Sequence, residues 1–241
     1  MSRTLTILLT AFLIIFPTRY SLANTLEFVR IEGLAEQIAG EKVIYEVYKR
    51  LGISIVIHAM PARRALYESR HDGKDGEMLR IWSYGDTNRA LIRIPIPIAY
   101  IETQAFSRSD FVFEPDKKAD YEYAIVRGVQ HTLDATMNFD RVVEFTESSA
   151  MMSFVRSKRA DIALSSKLDG RYQLTLLSAE DIIPVGDVWV RHALYHYIHE
   201  RHQELIPKVT QMLAYMSRTG DIERLWNEAV EELNLLEVPI D

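Results

Sequence analysis

The chain of 241 residues contains no cysteine. It can form neither a disulfide nor a thiolate metal site, so its core must carry stability alone. A lipid anchor is excluded too, because it would need a cysteine at the start of the mature exported chain. Basic charge is in deficit: 28 Lys and Arg face 34 Asp and Glu, for a formal net charge of −6. An acidic chain lacks the electrostatic footprint that nucleic acid or an anionic lipid surface requires. After Phe16 no apolar run approaches the roughly 20 residues of a membrane span. There is no low-complexity tract and no internal repeat of fixed period. Nucleophile elbow, phosphate-binding loop and HExxH are all missing, and no motif calls for a cofactor.

What remains is an ordinary folding composition with 48% hydrophobic residues. That suffices for one large domain or two small lobes. The N-terminus opens on Met1, Ser2 and Arg3, then an apolar run from Leu5 to Phe16, then Pro17. "SLA" (Ser21 to Ala23) supplies small residues before a cut. This pattern predicts a secretory signal peptide over residues 1–23, cleaved between Ala23 and Asn24. The apolar run is shorter than a full span, which argues against an uncleaved anchor. Removing the leader takes Arg3 and Arg19, leaving 26 basic against 34 acidic residues, a net charge of −8. Export without a lipid anchor predicts a periplasmic protein of a Gram-negative cell.

Beyond the leader, "LEFVRI" (Leu26 to Ile31) reads as a strand, followed by a turn at Glu32 and Gly33. Ile38, Val43, Ile44, Val47 and Tyr48 recur at helical spacing, with Gly52 as the stop. "ISIVIHAM" is a buried-type strand. Pro61 then opens a helix to about Arg70, since its missing N–H has no partner in a first turn. Asp72-Gly73 and Asp75-Gly76 signal turns before a third strand, "EMLRIW". The prolines between Leu91 and Ser107 force extended backbone. A second unit follows: "YAIVRG" as strand, "QHTLDATMNF" as helix, "VVEF" as strand, "ESSAMMSFVRSKRA" as helix and "DIALSS" as strand. A crossing segment and a helix-rich tail close the chain, with Asp221 as an N-cap. Two β-α-β-α-β units predict an α/β fold, each sheet largely parallel with helices on its faces.

Several stretches resemble one known family. "KRLGISIVIHAMPARRAL" is similar to its Leu-Gly helix end, strand and Pro-x-x-Arg-x-Leu helix start. "GKDG" is similar to its Gly-Lys-x-Asp turn, and "KRADIAL" to its Gly-Arg-x-Asp-Ala step. "YHYIHERHQELIPKVTQMLAYMSRTGDIERLW" is similar to its closing helices, with Leu205, Thr219-Gly220 and Ile222. The order of these motifs resembles the periplasmic solute-binding proteins of the amino-acid-binding type, the bacterial extracellular solute-binding family 3. The resemblance implies a two-lobed type II periplasmic binding fold with two hinge crossings. It implies lobe 1 over 24–103 plus 192–241 and lobe 2 over 104–191. It implies a small polar solute, anionic or amino-acid-like, captured between the lobes by a non-enzymatic monomer. An ABC permease or a sensor kinase in the inner membrane would be the partner.

Two positions depart from that family. Its carboxylate-reading arginine stands in Thr-x-x-Arg, whereas here "DTNR" puts Arg89 two residues after Thr87. Its amine-reading acid ends the "DIAL" strand, where this chain has Ser166. A hydroxyl cannot replace that carboxylate without losing a charge-assisted bond, which argues against a plain α-amino acid.

The candidate ligand residues follow from strand ends and helix starts. Arg80 ends the third strand and can fork onto a carboxylate or phosphate; the alternative is a salt bridge to Glu77 or Asp86. Arg63 and Arg64 open the helix facing the same crevice, unless they are solvated helix-end charges. Arg89 and Glu32 join them at the lobe 1 rim, and Trp82 and Tyr84 offer stacking faces. In lobe 2, Gly128, Gln130 and His131 stand at a helix start, where free N–H groups attract anions; capping by Thr132 is the alternative. Ser165 and Ser166 end the last strand, unless they serve a turn toward Asp169-Gly170.

Two other functions use different residues. A dehydratase-like enzyme on the same fold would need an acid or base such as Glu32, Glu77 or His131. A metal carrier would use His192, His196, His199 and His202, which form a loose arc if the segment is one helix. The solvated helix face is the simpler expectation, with no metal bound.

Overall fold

The computed structural model describes residues 25–71 and 73–235. The expected leader, residues 1–23, lies outside them, as does Asp72 of the first turn signal.

The first unit runs β1 (Leu26–Ile31), α1 (Ala35–Arg50), β2 (Ile55–Met60), α2 (Ala62–Arg70) and β3 (Gly76–Ile81). α2 starts directly after Pro61, as its fixed φ favours. A single turn, α3 (Tyr84–Thr87), leads to β4 (Leu91–Arg93) and the long β5 (Ala99–Arg108). The second unit runs β6 (Tyr123–Val126), α4 (Gln130–Thr136), β7 (Val142–Phe145), α5 (Ser148–Arg156), β8 (Ile162–Ser166) and α6 (Lys167–Leu176). β9 (Ile182–His199), α7 (Ile206–Arg218) and α8 (Asp221–Leu235) complete the chain.

Among the described residues nine strands share one ladder, in the order β2-β1-β3-β9-β5-β8-β6-β7, with β4 also on β9. β1, β2 and β3 are mutually parallel, as are β6, β7 and β8. β9 runs antiparallel to β3, β4 and β5, and β5 antiparallel to β8. β5 and β9 therefore cross between two lobes. Their register shifts between Thr103 and Ala105, where Gly186 takes φ +64°. The Gln104 amide donates to Val185 O at 3.0 Å and Gly186 O at 3.2 Å, satisfying the carbonyls that the shift frees.

Each lobe has its own core. In the first, Phe28, Met78, Leu79 and Ile198 of the sheet meet Val43, Ile44, Val47 and Tyr48 of α1 and Val209, Leu213 and Met216 of α7. In the second, the strand period of two splits β6 cleanly. Ala124 and Val126 face Met151, Met152 and Val155, whereas Tyr123 and Ile125 face Phe139 and Trp189. No described helix is long and apolar enough to cross a membrane.

Two local expectations are overturned. His192, His196 and His199 stand on a strand, and His202 in a 3-10 turn (Glu200–Leu205), so the helical histidine arc does not form. Val, Tyr and Ile crowd this stretch, and pairing with β3, β4 and β5 draws it into the sheet. His196 is buried; Tyr48 Oη lies 2.8 Å from its Nε2, and its Nδ1 lies 3.0 Å from Glu77 O. Carbonyl acceptors at Nδ1 require its proton there, so Nε2 accepts from the tyrosine. Burial lowers the pKa of this histidine to about 4. Among the described residues, no three His, Asp or Glu side chains converge as a metal site would require. The second correction concerns Asp169-Gly170, which lies inside α6 and not in a turn. Ser166 caps that helix by accepting from Asp169 N at 2.9 Å.

Candidate functional site

Parallel strands deliver their carboxyl ends to the same edge of each lobe, so the loops after them face one another. Among the described residues, these side-chain hydrogen bonds and ion pairs join the lobes. Ala35 N donates to Asp169 Oδ1 at 3.2 Å and Gln173 Nε2 to Gly33 O at 2.9 Å. Arg63 pairs with Glu144 at 3.6 Å, and Ser83 Oγ reaches Asp134 at 3.5 Å. Gly128 adopts φ +79° in the loop between β6 and α4, and a Cβ there would lie 3.0 Å from the Ala62 Cβ of α2. The cleft is closed.

A crevice of about 240 Å³ remains between α2 and α3 on one side and α4 and β7 on the other. Arg63, Leu66 and Arg70 of α2 line it with Arg80, Tyr84 and Asn88; Gly128, Gln130, Leu133 and Glu144 form the opposite wall. Arg80 is 4% exposed. Its Nε and Nη2 donate to the two Glu77 oxygens at 3.0 and 3.1 Å, and its guanidinium lies 4.7 Å from the Tyr84 ring. Tyr84 Oη at 2.7 Å and Ser69 Oγ at 3.1 Å also donate to Glu77. The salt bridge weighed as an alternative for Arg80 thus exists, and the arginine lines the crevice while held by it. Arg70 is exposed, and no described carboxylate lies within ion-pair distance. The one acid on the wall, Glu144, is already paired to Arg127 at 2.9 Å.

Nearer the hinge, the centre of the cleft is almost filled: the void there measures about 10 Å³. Asp169 dominates it. Its carboxylate accepts from Ser148 Oγ at 2.6 Å, Ser165 Oγ at 2.9 Å, and Gln173 Nε2 and Ala35 N at 3.2 Å. Burial pushes this carboxyl up, and those donors oppose the shift. Glu36 of α1 lines the same void and is 4% exposed. Burial, then the neighbouring Asp169 charge, raises the Glu36 pKa to about 7. His131 closes the far side, with its Nδ1 2.8 Å from Thr103 Oγ1. Burial and the nearby His192 lower the His131 pKa to about 3, so the ring is neutral.

The other sequence candidates lie around these spaces. Arg64 is exposed beside Glu68 at 3.6 Å, Trp82 stacks under the Arg93 guanidinium at 3.1 Å, and Arg89 and Glu32 line neither cavity. Ser165 and Ser166 face the central void, where both serve Asp169. Thr132 does not cap α4, because its hydroxyl donates to Val129 O at 3.0 Å. Sequence reasoning missed Arg70, Glu36 and Asp169. Arg70 follows Arg63 by two helical turns and so shares its face. Ser166-x-x-Asp169 has the spacing of a capping box, which would have placed Asp169 on a helix.

No family profile matches the chain. An uncharacterized protein of Shewanella oneidensis is 26% identical over 203 residues, 78% of this chain and 75% of that one. The fold is similar to a histidine kinase sensor domain with similarity to periplasmic binding proteins, at TM-score 0.76 and 14% identity, covering 85% of this chain and 95% of that one. It is similar to ArgBP from T. maritima at TM-score 0.74 and 12% identity, covering 86% and 95%. It is also similar to the GluR0 ligand-binding core from Nostoc punctiforme in complex with (L)-glutamate, at TM-score 0.72 and 10% identity, covering 84% and 98%. With its two lobes and two crossing strands, the chain has the type II periplasmic binding fold.

Proposed function

We propose that the chain is a solute-binding protein that captures a small anionic solute in the crevice between its lobes. One observation carries this: among the described residues the inter-lobe space is lined by three arginines, Arg63, Arg70 and Arg80, and one acid, Glu144, which Arg127 holds at 2.9 Å and Arg63 only at 3.6 Å; Arg80 is bound to Glu77, and Arg70 has no described carboxylate within ion-pair distance. Guanidinium forks suit carboxylate or phosphate, and Gln130 and Asn88 add polar contacts. At about 30 Å³ per water, the crevice holds a solute of roughly eight water volumes, the size of a small organic acid. The fold neighbours support a binding role over an enzymatic one. Lobe 1 comprises 24–103 and 192–241, lobe 2 comprises 104–191, and the protein works in the periplasm as a monomer. It passes its solute to an ABC permease or reports it to a sensor kinase.

A thermal-shift panel of acetate, malonate, succinate, citrate, phosphate, lysine and glucose tests the charge preference. An anion at a hundred times its Kd adds about 2.7 kcal/mol, which raises Tm by roughly 5–10 °C for a chain of this size. Arg63→Gln and Arg70→Gln each weaken that anion about tenfold or more, the worth of a charge-assisted bond. A panel in which only lysine or glucose binds, or an anion that ignores both substitutions, rules the crevice out.

A further inference from the structure

We propose that closure of the lobes takes up a proton: Glu36 of lobe 1 docks as a neutral carboxylic acid beside the Asp169 carboxylate of lobe 2. The geometry comes first. The two acids stand in the first turns of α1 and α6, on opposite lobes, and line one void of about 10 Å³, no more than a single water's worth of space. Asp169 receives four donors, matching the capacity of an ionised carboxylate, so the negative charge resides there. A second charge beside it, on a side chain only 4% exposed, would be repelled and largely desolvated. Glu36 therefore carries the proton. With the lobes apart, Glu36 no longer faces the Asp169 charge, and Asp169 loses the Ala35 N–H. The chain thus supplies its own acid to the centre of the cleft, and the neutral Ser166 caps the helix that carries it.

The surroundings of Glu36 set the sign. Inside the void it meets Asp169, the neutral His131 and the Ser166 hydroxyl; that hydroxyl and the backbone N–H groups of Glu36 and Asp169 oppose the upward shift without cancelling it. On its open side stand Tyr100 and Glu102 of β5, Lys167 and Arg171 of α6, and Arg191 of β9. Glu102 is paired to Lys167 at 3.5 Å and Arg191 at 3.8 Å. α8 offers the apolar Trp226, Ala229 and Val230 to this end of α1. His192 lies near His131. In the closed form the Glu36 pKa stands at about 7, against 4.5 for a solvated glutamate, the value taken for the open form. The closed form is therefore fully favoured below about pH 4.5, weakens between there and about pH 7, and is level above.

The cysteine-free chain allows clean dye labelling at Tyr67→Cys on lobe 1 and Met137→Cys on lobe 2, both well exposed. Inter-lobe energy transfer is followed in solute-free protein, so the result does not depend on what the crevice binds. The closed-to-open ratio should fall by up to about tenfold per pH unit across the window and then stay flat. Glu36→Gln, neutral at every pH, should abolish that slope. Melting provides the second readout: the Tm of Glu36→Gln minus that of the wild type should grow with pH up to about 7 and then level. A pH slope that persists in Glu36→Gln, or a Tm difference independent of pH, overturns the proposal.

Discussion

Replacing Arg80 by methionine is expected to cost about 3–5 kcal/mol of stability, because it strands a buried carboxylate. Glu77 is 1% exposed, and Arg80 is its only cationic partner among the described residues. Tyr84 and Ser69 would still donate to Glu77, but neither neutralises it. The carboxyl would then take a proton or drag water into the core between α2 and β3. In a chain of this size the loss corresponds to a Tm lower by roughly 6–20 °C. The reverse test is more telling. Glu77→Gln combined with Arg80→Met removes both charges while Gln still meets Tyr84 and Ser69. The double variant should regain more than half of the loss in a urea titration. A double variant as unstable as Arg80→Met alone would place the cost in packing rather than charge.

Gly128→Val should hold the cleft open. The loop at Gly128 has φ +79°, so any side chain adds strain of about 1–3 kcal/mol in both the open and the closed form. The contact with Ala62 at 3.0 Å and Arg63 N at 3.4 Å exists only when the lobes meet. Overpacking of this kind costs about 1–3 kcal/mol, which lowers the closed-to-open ratio by roughly tenfold to a hundredfold. Solute affinity should fall by the same factor, since a solute held by both lobes must also close them. Ala62→Gly removes the facing methyl and should restore part of the closure in the double variant. Inter-lobe energy transfer reads both effects. A Gly128→Val protein that closes like the wild type would mean that α2 is not the surface that stops the lobes.

Much of the scaffold was legible because it rests on local chemistry. Pro61 opens α2 where its ring fits, and the helical spacing from Ile38 to Tyr48 supplies the face that α1 buries. Each unit's strands appeared in order. The arginines of α2 and β3 were legible as cleft candidates, because strand and helix ends converge in such folds. What misled was the histidine run. At intervals of four, three and three it mimics a helix, while Tyr195, Tyr197 and Ile198 among them, and Val188, Trp189 and Val190 before them, favour a strand. The strand is fixed by neighbours from elsewhere: β9 pairs with β3, β4 and β5, whose residues lie far back in the chain. Asp169-Gly170 misled for a related reason. Glycine is costly in a helix, yet here a Cβ would lie 2.1 Å from the Phe106 ring, so close packing requires its absence.

The sequence by itself determined two α/β units, a core without disulfides, an acidic surface and the identity of the helix that opens on Pro61. Composition, period and turn residues act over a few positions, so they can be read without the fold. Only the tertiary structure decided which charges meet. Ala35 and Asp169 are 134 positions apart and hydrogen-bonded across the cleft. Arg63 and Glu144 likewise meet only when β5 and β9 bring the lobes together. No local signal marks such pairs, because their proximity depends on the crossing strands and on closure. That is why Ser166 looked like a missing acid in the sequence, while the fold sets the Asp169 carboxylate beside it.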